Sequence, residues 1–224
     1  MNPQDQDPFA RLQRLAASVK ASQQSIEARR ARRTAQEQQA VTEELRARWN
    51  APKRHAQAHH PRSGPWGESL GRLQTRIGRG ALVALIGPRG TGKTQMAVEL
   101  MKDVTTRGRS ALFRTATELL MIFKSAYRPE SGNSELDVLR EHRRPALLVI
   151  DEFARRAETN WEDNLLFELL NQRYADVTDT VLLCNLPRPE LIECLGPSLT
   201  SRIVEGGGIV ECTWPQFRKG GTNP

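Results

Sequence analysis

Two kinds of hydrophobic pattern divide the chain. From Phe9 to about Trp49, apolar side chains recur at helical spacing (Phe9, Leu12, Leu15, Ala16, Val19 and Ile26, then Val41, Leu45 and Trp49) among Ala, Gln, Glu and Arg, with no proline or glycine. That composition predicts one or two long helices carrying a narrow apolar stripe, too thin to support a core of its own. Between Asn50 and Gly67 the breakers Pro52, Pro61, Gly64, Pro65 and Gly67 predict a linker. From Leu70 onward, short continuous apolar runs alternate with amphipathic segments. Leu70, Leu73 and Ile77 lead into the run 81–86; helix 93–106, strand 111–114, helix 117–127 and helix 134–143 follow. After the run 146–150, Thr159 and Glu162 form a capping-box pattern for the next helix, followed by strand 180–183, a short helix over 189–195 and a last strand over 208–212. Unbroken apolar strands separated by helices predict a parallel sheet covered on both faces. The expected organisation is a helical arm over 1–49, a linker over 50–67 and one α/β domain over 68–224.

Composition and charge sharpen this division. The 224 residues suit one domain plus a remainder, and the low hydrophobic share of 38% reflects the first third. The net charge of +7 and pI near 9.8 suggest an anionic partner. Residues 1–80, however, hold 15 basic and 7 acidic side chains, against 18 and 19 in the rest. The arm and linker therefore carry the surplus, including Arg29, Arg30, Arg32 and Arg33, either as a solvated helix or as a surface for a partner or DNA. No apolar run approaches the roughly 20 residues of a membrane span, and the polar N-terminus has no signal-peptide pattern. A soluble, cytoplasmic protein is expected. Cys184, Cys194 and Cys212 are odd in number and lack CxxC spacing, so reduced, packed thiols are expected. His55 and His59 stand four apart, but no Cys or acidic ligand accompanies them.

The chemistry concentrates in four places. Gly87, Pro88, Arg89, Gly90, Thr91, Gly92, Lys93 and Thr94 match G-x-x-x-x-G-K-[ST] between an apolar strand and a helix. The glycines let backbone N–H groups and the helix N-terminus face phosphate; Lys93 is placed for the β- and γ-phosphates, and the Thr94 hydroxyl for Mg²⁺. The run 146–150 then delivers Asp151 and Glu152, the first suited to hold Mg²⁺ and the second to polarise water, a pairing that favours hydrolysis over transfer. Asn185, ending the strand over 181–185, reaches the attacking water if that strand lies between the other two; otherwise it is a turn residue before Leu186-Pro187. Arg202 is either a surface arginine or a group supplied to a neighbouring copy.

With Ser201-Arg202-Ile203 and the late Trp214-Pro-Gln-Phe-Arg218, this set resembles an AAA+ ATPase of the DnaC/IstB type, over roughly residues 67–218. The resemblance implies a P-loop AAA+ core with a five-stranded parallel sheet, ATP and Mg²⁺ as cofactors, and ATP-dependent homo-oligomerisation. It also implies binding of single-stranded DNA. By the same likeness Arg202 corresponds to an arginine finger and Arg218 to a second sensor. Cys184 stands where Ser or Thr is usual, and Phe153-Ala-Arg-Arg replaces Ile or Leu with Gly. A helicase loader, with the arm gripping a replicative helicase, is the leading expectation; a transposition accessory ATPase on duplex DNA and a nucleotide-regulated adaptor are the alternatives. Phe123, Lys124, Tyr127 and Arg128 offer aromatics and cations for DNA, although Leu119, Phe123 and Tyr127 equally form a core stripe.

Overall fold

The computed structural model describes residues 8–57, 63–126, 134–154 and 160–217. The sequence signals for helix produce α1 (Pro8–Ala47), one unbroken helix of 40 residues, and then the short α2 (Lys53–Gln57). The chain forms two compact units divided between Glu43 and Glu44, ahead of the expected boundary at 49/50. In the first unit the described side chains of α1 are almost all exposed, with pairs such as Arg33 and Glu37 at 2.9 Å that add little to stability. In the second unit Trp49 is buried, and its carbonyl accepts the Phe113 N–H at 2.7 Å. His55 exchanges two hydrogen bonds with Gln95, each 3.1 Å. The described part of the expected linker thus packs on the domain.

The second unit continues with α3 (Gly64–Arg76), β1 (Leu82–Ile86), α4 (Lys93–Thr106), β2 (Ala111–Thr115), α5 (Ala116–Ala126) and α6 (Glu135–Arg143). Then come β3 (Leu147–Asp151), α7 (Asn160–Ala175), β4 (Asp179–Cys184), α8 (Arg188–Gly206) and β5 (Gly208–Glu211). All five strands pair in parallel in the order β2-β3-β4-β1-β5. Strand residues alternate between two cores because successive side chains point to opposite faces. Leu82, Ala84, Ile86, Leu148, Ile150 and Leu182 join α5, α7 and α8 on one side. Val83, Leu85, Leu147, Val149, Val181 and Leu183 join α3 and α4 on the other. Burial on both faces is why the strands read as continuous apolar runs.

One element, α8, goes beyond the expectation. The helix expected over 189–195 forms the first part of α8, and beyond a kink at Gly196, at φ 69°, and Pro197 a second helical part runs on to Gly206. Arg202 therefore lies within a helix instead of beyond one. The Thr159 and Glu162 capping pattern falls partly outside the described residues, as does His59.

One buried cation organises the end of the sheet away from the phosphate loop. Arg173, fully buried in α7, donates to Thr180 Oγ1 at 2.9 Å and to the carbonyls of His142, Arg143, Pro145 and Asp179 at 2.5–3.0 Å. Burial pulls its pKa down to about 10, opposed by Asp179 and Asp176, so it stays charged at neutral pH. Asp179 in turn accepts the N–H groups of Gly78, Gly80 and Ala81 at 2.7–3.0 Å, fixing the entry to β1. Arg173→Leu leaves those acceptors without their donor and is expected to lower the thermal midpoint by roughly 10 °C in circular dichroism melts, on the scale of breaking a buried charged network. A drop under about 2 °C would contradict this role.

Candidate functional site

Parallel α/β sheets bind ligands beyond the carboxyl ends of their strands. Here the loop 87–92 leaves β1, Asp151 and Glu152 leave β3, and Asn185 leaves β4, which lies between them. Register brings the three exits together: Ile86 pairs with Cys184, Ile150 with Leu182, and the Phe153 N–H donates to the Leu183 carbonyl at 3.0 Å. The positional condition set for Asn185 by the sequence is met, and its residue is exposed at the sheet's end.

The loop curls because Gly87, Gly90 and Gly92 adopt φ of 130°, 85° and 81°. A Cβ on Gly87 would stand 2.7 Å from the Cys212 carbonyl oxygen, and one on Gly92 would stand 3.0 Å from Trp66 Nε1 and 3.1 Å from Phe217 Cδ2. Glycine at these positions is thus required by close protein neighbours as well as by backbone angle. Lys93, the first residue of α4, is buried and donates to the carbonyls of Gly87 and Pro88 at 2.7 and 2.8 Å. Burial holds its ammonium below the usual lysine range, with Cys212 and Asp151 opposing.

The Thr94 hydroxyl donates to Asp151 Oδ2 at 2.9 Å, and the Glu152 N–H to Asp151 Oδ1 at 2.7 Å. Burial pushes the Asp151 carboxyl up, and those two hydrogen bonds partly counteract it. A desolvated carboxylate beside a hydroxyl is a hard-oxygen pair that suits Mg²⁺, whose remaining positions are commonly filled by water and phosphate. Glu152 is in the left-handed region at φ 54°, a conformation costing about 1 kcal/mol in a non-glycine residue. It marks the sharp turn at the end of β3.

Other sequence-selected residues fall elsewhere. Arg202 on α8 is bonded to Asn171 Oδ1 of α7, and its guanidinium lies 5.4 Å from the Tyr174 ring centroid. Tyr174 donates to Glu205 at 2.7 Å. Phe123 is fully buried in the α5, α7 and α8 core, so the reading of it as a DNA-stacking aromatic is corrected: its spacing from Leu119 turns it inward. Lys124 is exposed, whereas Tyr127, Arg128 and Arg218 lie outside the described residues. Cys184 and Cys212 are buried free thiols beside the loop, and burial pushes the Cys212 thiol up to about 12.

Sequence reasoning missed the loop's outer neighbours. Trp214 Nε1 donates to the Thr91 carbonyl at 2.6 Å, the Phe217 N–H to the Gly90 carbonyl at 2.9 Å and Trp66 Nε1 to the Gly92 carbonyl at 3.3 Å. Trp66 was legible in principle: with Leu70, Leu73 and Ile77 it completes a helical stripe, and all four are buried.

Comparison with known proteins gives consistent results. A family model described as IstB-like ATP binding protein matches residues 72–205. The replicative helicase loader DnaC of Escherichia coli K12 is 29% identical over 133 residues, covering 59% of this chain and 54% of that protein. A protein of Mycobacterium tuberculosis named as ATP-binding in an insertion sequence is 27% identical over 148 residues, covering 62% and 56%. The chain therefore spans about half the length of these curated relatives. Among solved structures, a DnaC helicase loader superposes with a TM-score of 0.60 at 20% identity, covering 71% of this chain and 99% of that one, a likeness of fold.

The raised Asp151 pKa carries a stability prediction. The folded protein binds this proton more tightly than the unfolded chain, whose value is near 3.8, so the group's contribution falls as pH rises from below 3.8 through the folded value. At pH 7 without nucleotide or Mg²⁺, Asp151→Asn is expected to raise the thermal midpoint by a few degrees and to flatten that pH dependence. A lowered midpoint would show that the carboxylate stabilises the empty site.

Proposed function

The chain belongs to the family of IstB-like ATP-binding proteins, and from that premise we propose that it binds and hydrolyses ATP to load or remodel a replicative helicase on single-stranded DNA. The observation that carries the chemistry is the convergence of Lys93, the Thr94–Asp151 pair and Glu152 at adjacent strand ends. The loop N–H groups and the start of α4 receive the phosphates, and Lys93 moves from the Gly87 and Pro88 carbonyls to the β- and γ-phosphates. Thr94 and Asp151 hold Mg²⁺, which when bound neutralises charge on the phosphates. Glu152 accepts a proton from the attacking water, and Asn185 orients that water. Arg202 leaves Asn171 and Tyr174 to stabilise γ-phosphate charge in an adjoining copy, which makes hydrolysis depend on ATP-dependent homo-oligomerisation. Arg218 reads the nucleotide as a second sensor. Lys124, Tyr127 and Arg128 remain the DNA-contact candidates of α5 and the segment after it.

The helicase reading rests on similarity to DnaC and on the basic helix α1, whose described side chains are almost all exposed and which serves as the gripping arm. Similarity to the insertion-sequence protein, together with the family itself, favours the second reading, an accessory ATPase for a transposase on duplex DNA. Both place the protein among cytoplasmic DNA transactions; among the described residues no helix is long and apolar enough to cross a membrane.

Glu152→Gln is expected to cut phosphate release by about 10²- to 10⁴-fold while ATP binding is retained. Turnover equal to wild type would remove Glu152 from the mechanism. Co-purification of the full chain with the host's replicative helicase, against a transposase from the same host, separates the two partner readings. Capture of the transposase alone would reverse the preference.

A further inference from the structure

Five carbonyls of the phosphate loop accept hydrogen bonds, three of them from distant parts of the chain. Gly87 and Pro88 carbonyls accept Lys93 Nζ, and Pro88 also accepts the Thr91 hydroxyl at 2.9 Å. The next three described carbonyl contacts come from two distant parts of the chain: Phe217 N–H on Gly90, Trp214 Nε1 on Thr91 and Trp66 Nε1 on Gly92. Gly92 also accepts the first helical N–H, from Met96, at 2.9 Å. The ring of Phe217 meets that of Trp66 edge to face, with centroids 6.3 Å apart, and the Cys212 N–H anchors the start of this segment on the Ile86 carbonyl at 2.7 Å. The stretch 212–217 therefore crosses the outside of the loop as a strap, closed against the N-terminal turn of α3.

We infer that Trp66, Trp214 and the Phe217 backbone are positioning residues that hold the loop ready for the phosphates of a nucleotide. In a trans peptide the C=O of one residue and the N–H of the next point in opposite directions. Pinning the carbonyls of Gly90, Thr91 and Gly92 outward turns the N–H groups of Thr91, Gly92 and Lys93 to the concave side, where anionic oxygens would sit. The strap thereby supplies, before any ligand arrives, ordering that the glycines by themselves would leave to be achieved on binding. Its chemistry is selective for the diphosphate part of the ligand, since base and ribose play no role in it. The inference rests on the nucleotide-binding reading given above.

Trp214→Phe keeps an aromatic ring and removes the donor, leaving the Thr91 carbonyl unpaired. Affinities of the full chain for ATP, ADP and inorganic pyrophosphate, measured by titration calorimetry, are expected to fall together by roughly tenfold, the scale of one lost hydrogen bond to a half-buried group. The KM for ATP should rise by the same factor with kcat retained, and the ligand-free melting midpoint should move by less than about 2 °C. Trp66→Phe should act in the same direction with a smaller factor, because its bond is longer and Gly92 keeps the Met96 donor; it carries the test if the first variant does not fold. Wild-type binding combined with affinities within twofold of it in the folded variants would overturn the strap's role alone. A wild-type chain that binds none of the three ligands would remove the nucleotide reading and the inference with it.

Discussion

Everything at the candidate site depends on β4 being paired on both edges. Its ladder with β1 sets Cys184 opposite Ile86, and its ladder with β3 sets Leu182 opposite Ile150. Those registers bring a phosphate loop from one strand within reach of two carboxylates from another, with Asn185 between them. A one-residue slip in either ladder would reverse which face each side chain occupies, and both faces are filled by separate apolar cores. The alignment of these residues is thus enforced by hydrophobic burial, which tolerates no alternative register.

Around that frame, polar groups are satisfied in ways that divide the molecule into two ends. At the N-terminal ends of the strands, Arg173 and Asp179 act as an internal donor and acceptor pair for buried and half-buried backbone groups, and nothing chemical is asked of them. At the carboxyl ends, Lys93 is buried and Asp151 half-buried; burial pulls the lysine's pKa down and pushes the aspartate's up, and nearby groups oppose both shifts in part. The two ends differ in position: Arg173 and Asp179 are closed in by backbone groups at the strand entries, whereas Lys93 and Asp151 stand at the strand exits beside the phosphate loop. Arg202 stands apart from both groups, bonded to Asn171 and lying over the Tyr174 ring.

Much of this was legible along the chain. Continuous apolar runs, a glycine-rich turn between strand and helix, and a strand ending in two acids are local patterns, and each is dictated by what its own backbone must do. They determined the α/β class, the loop, Lys93, Thr94, Asp151 and Glu152, and the long polar helix before them. Tertiary structure decided the rest because it concerns contacts between residues far apart in sequence. Phe123 serves the core and not DNA because the helix face it occupies meets the sheet. The described part of the proline-rich stretch docks through Gln95, and Trp66, Trp214 and Phe217 converge on three successive loop carbonyls from opposite ends of the domain. No local spacing encodes such a convergence, since it follows only once the strand order has folded the two ends of the domain onto one loop.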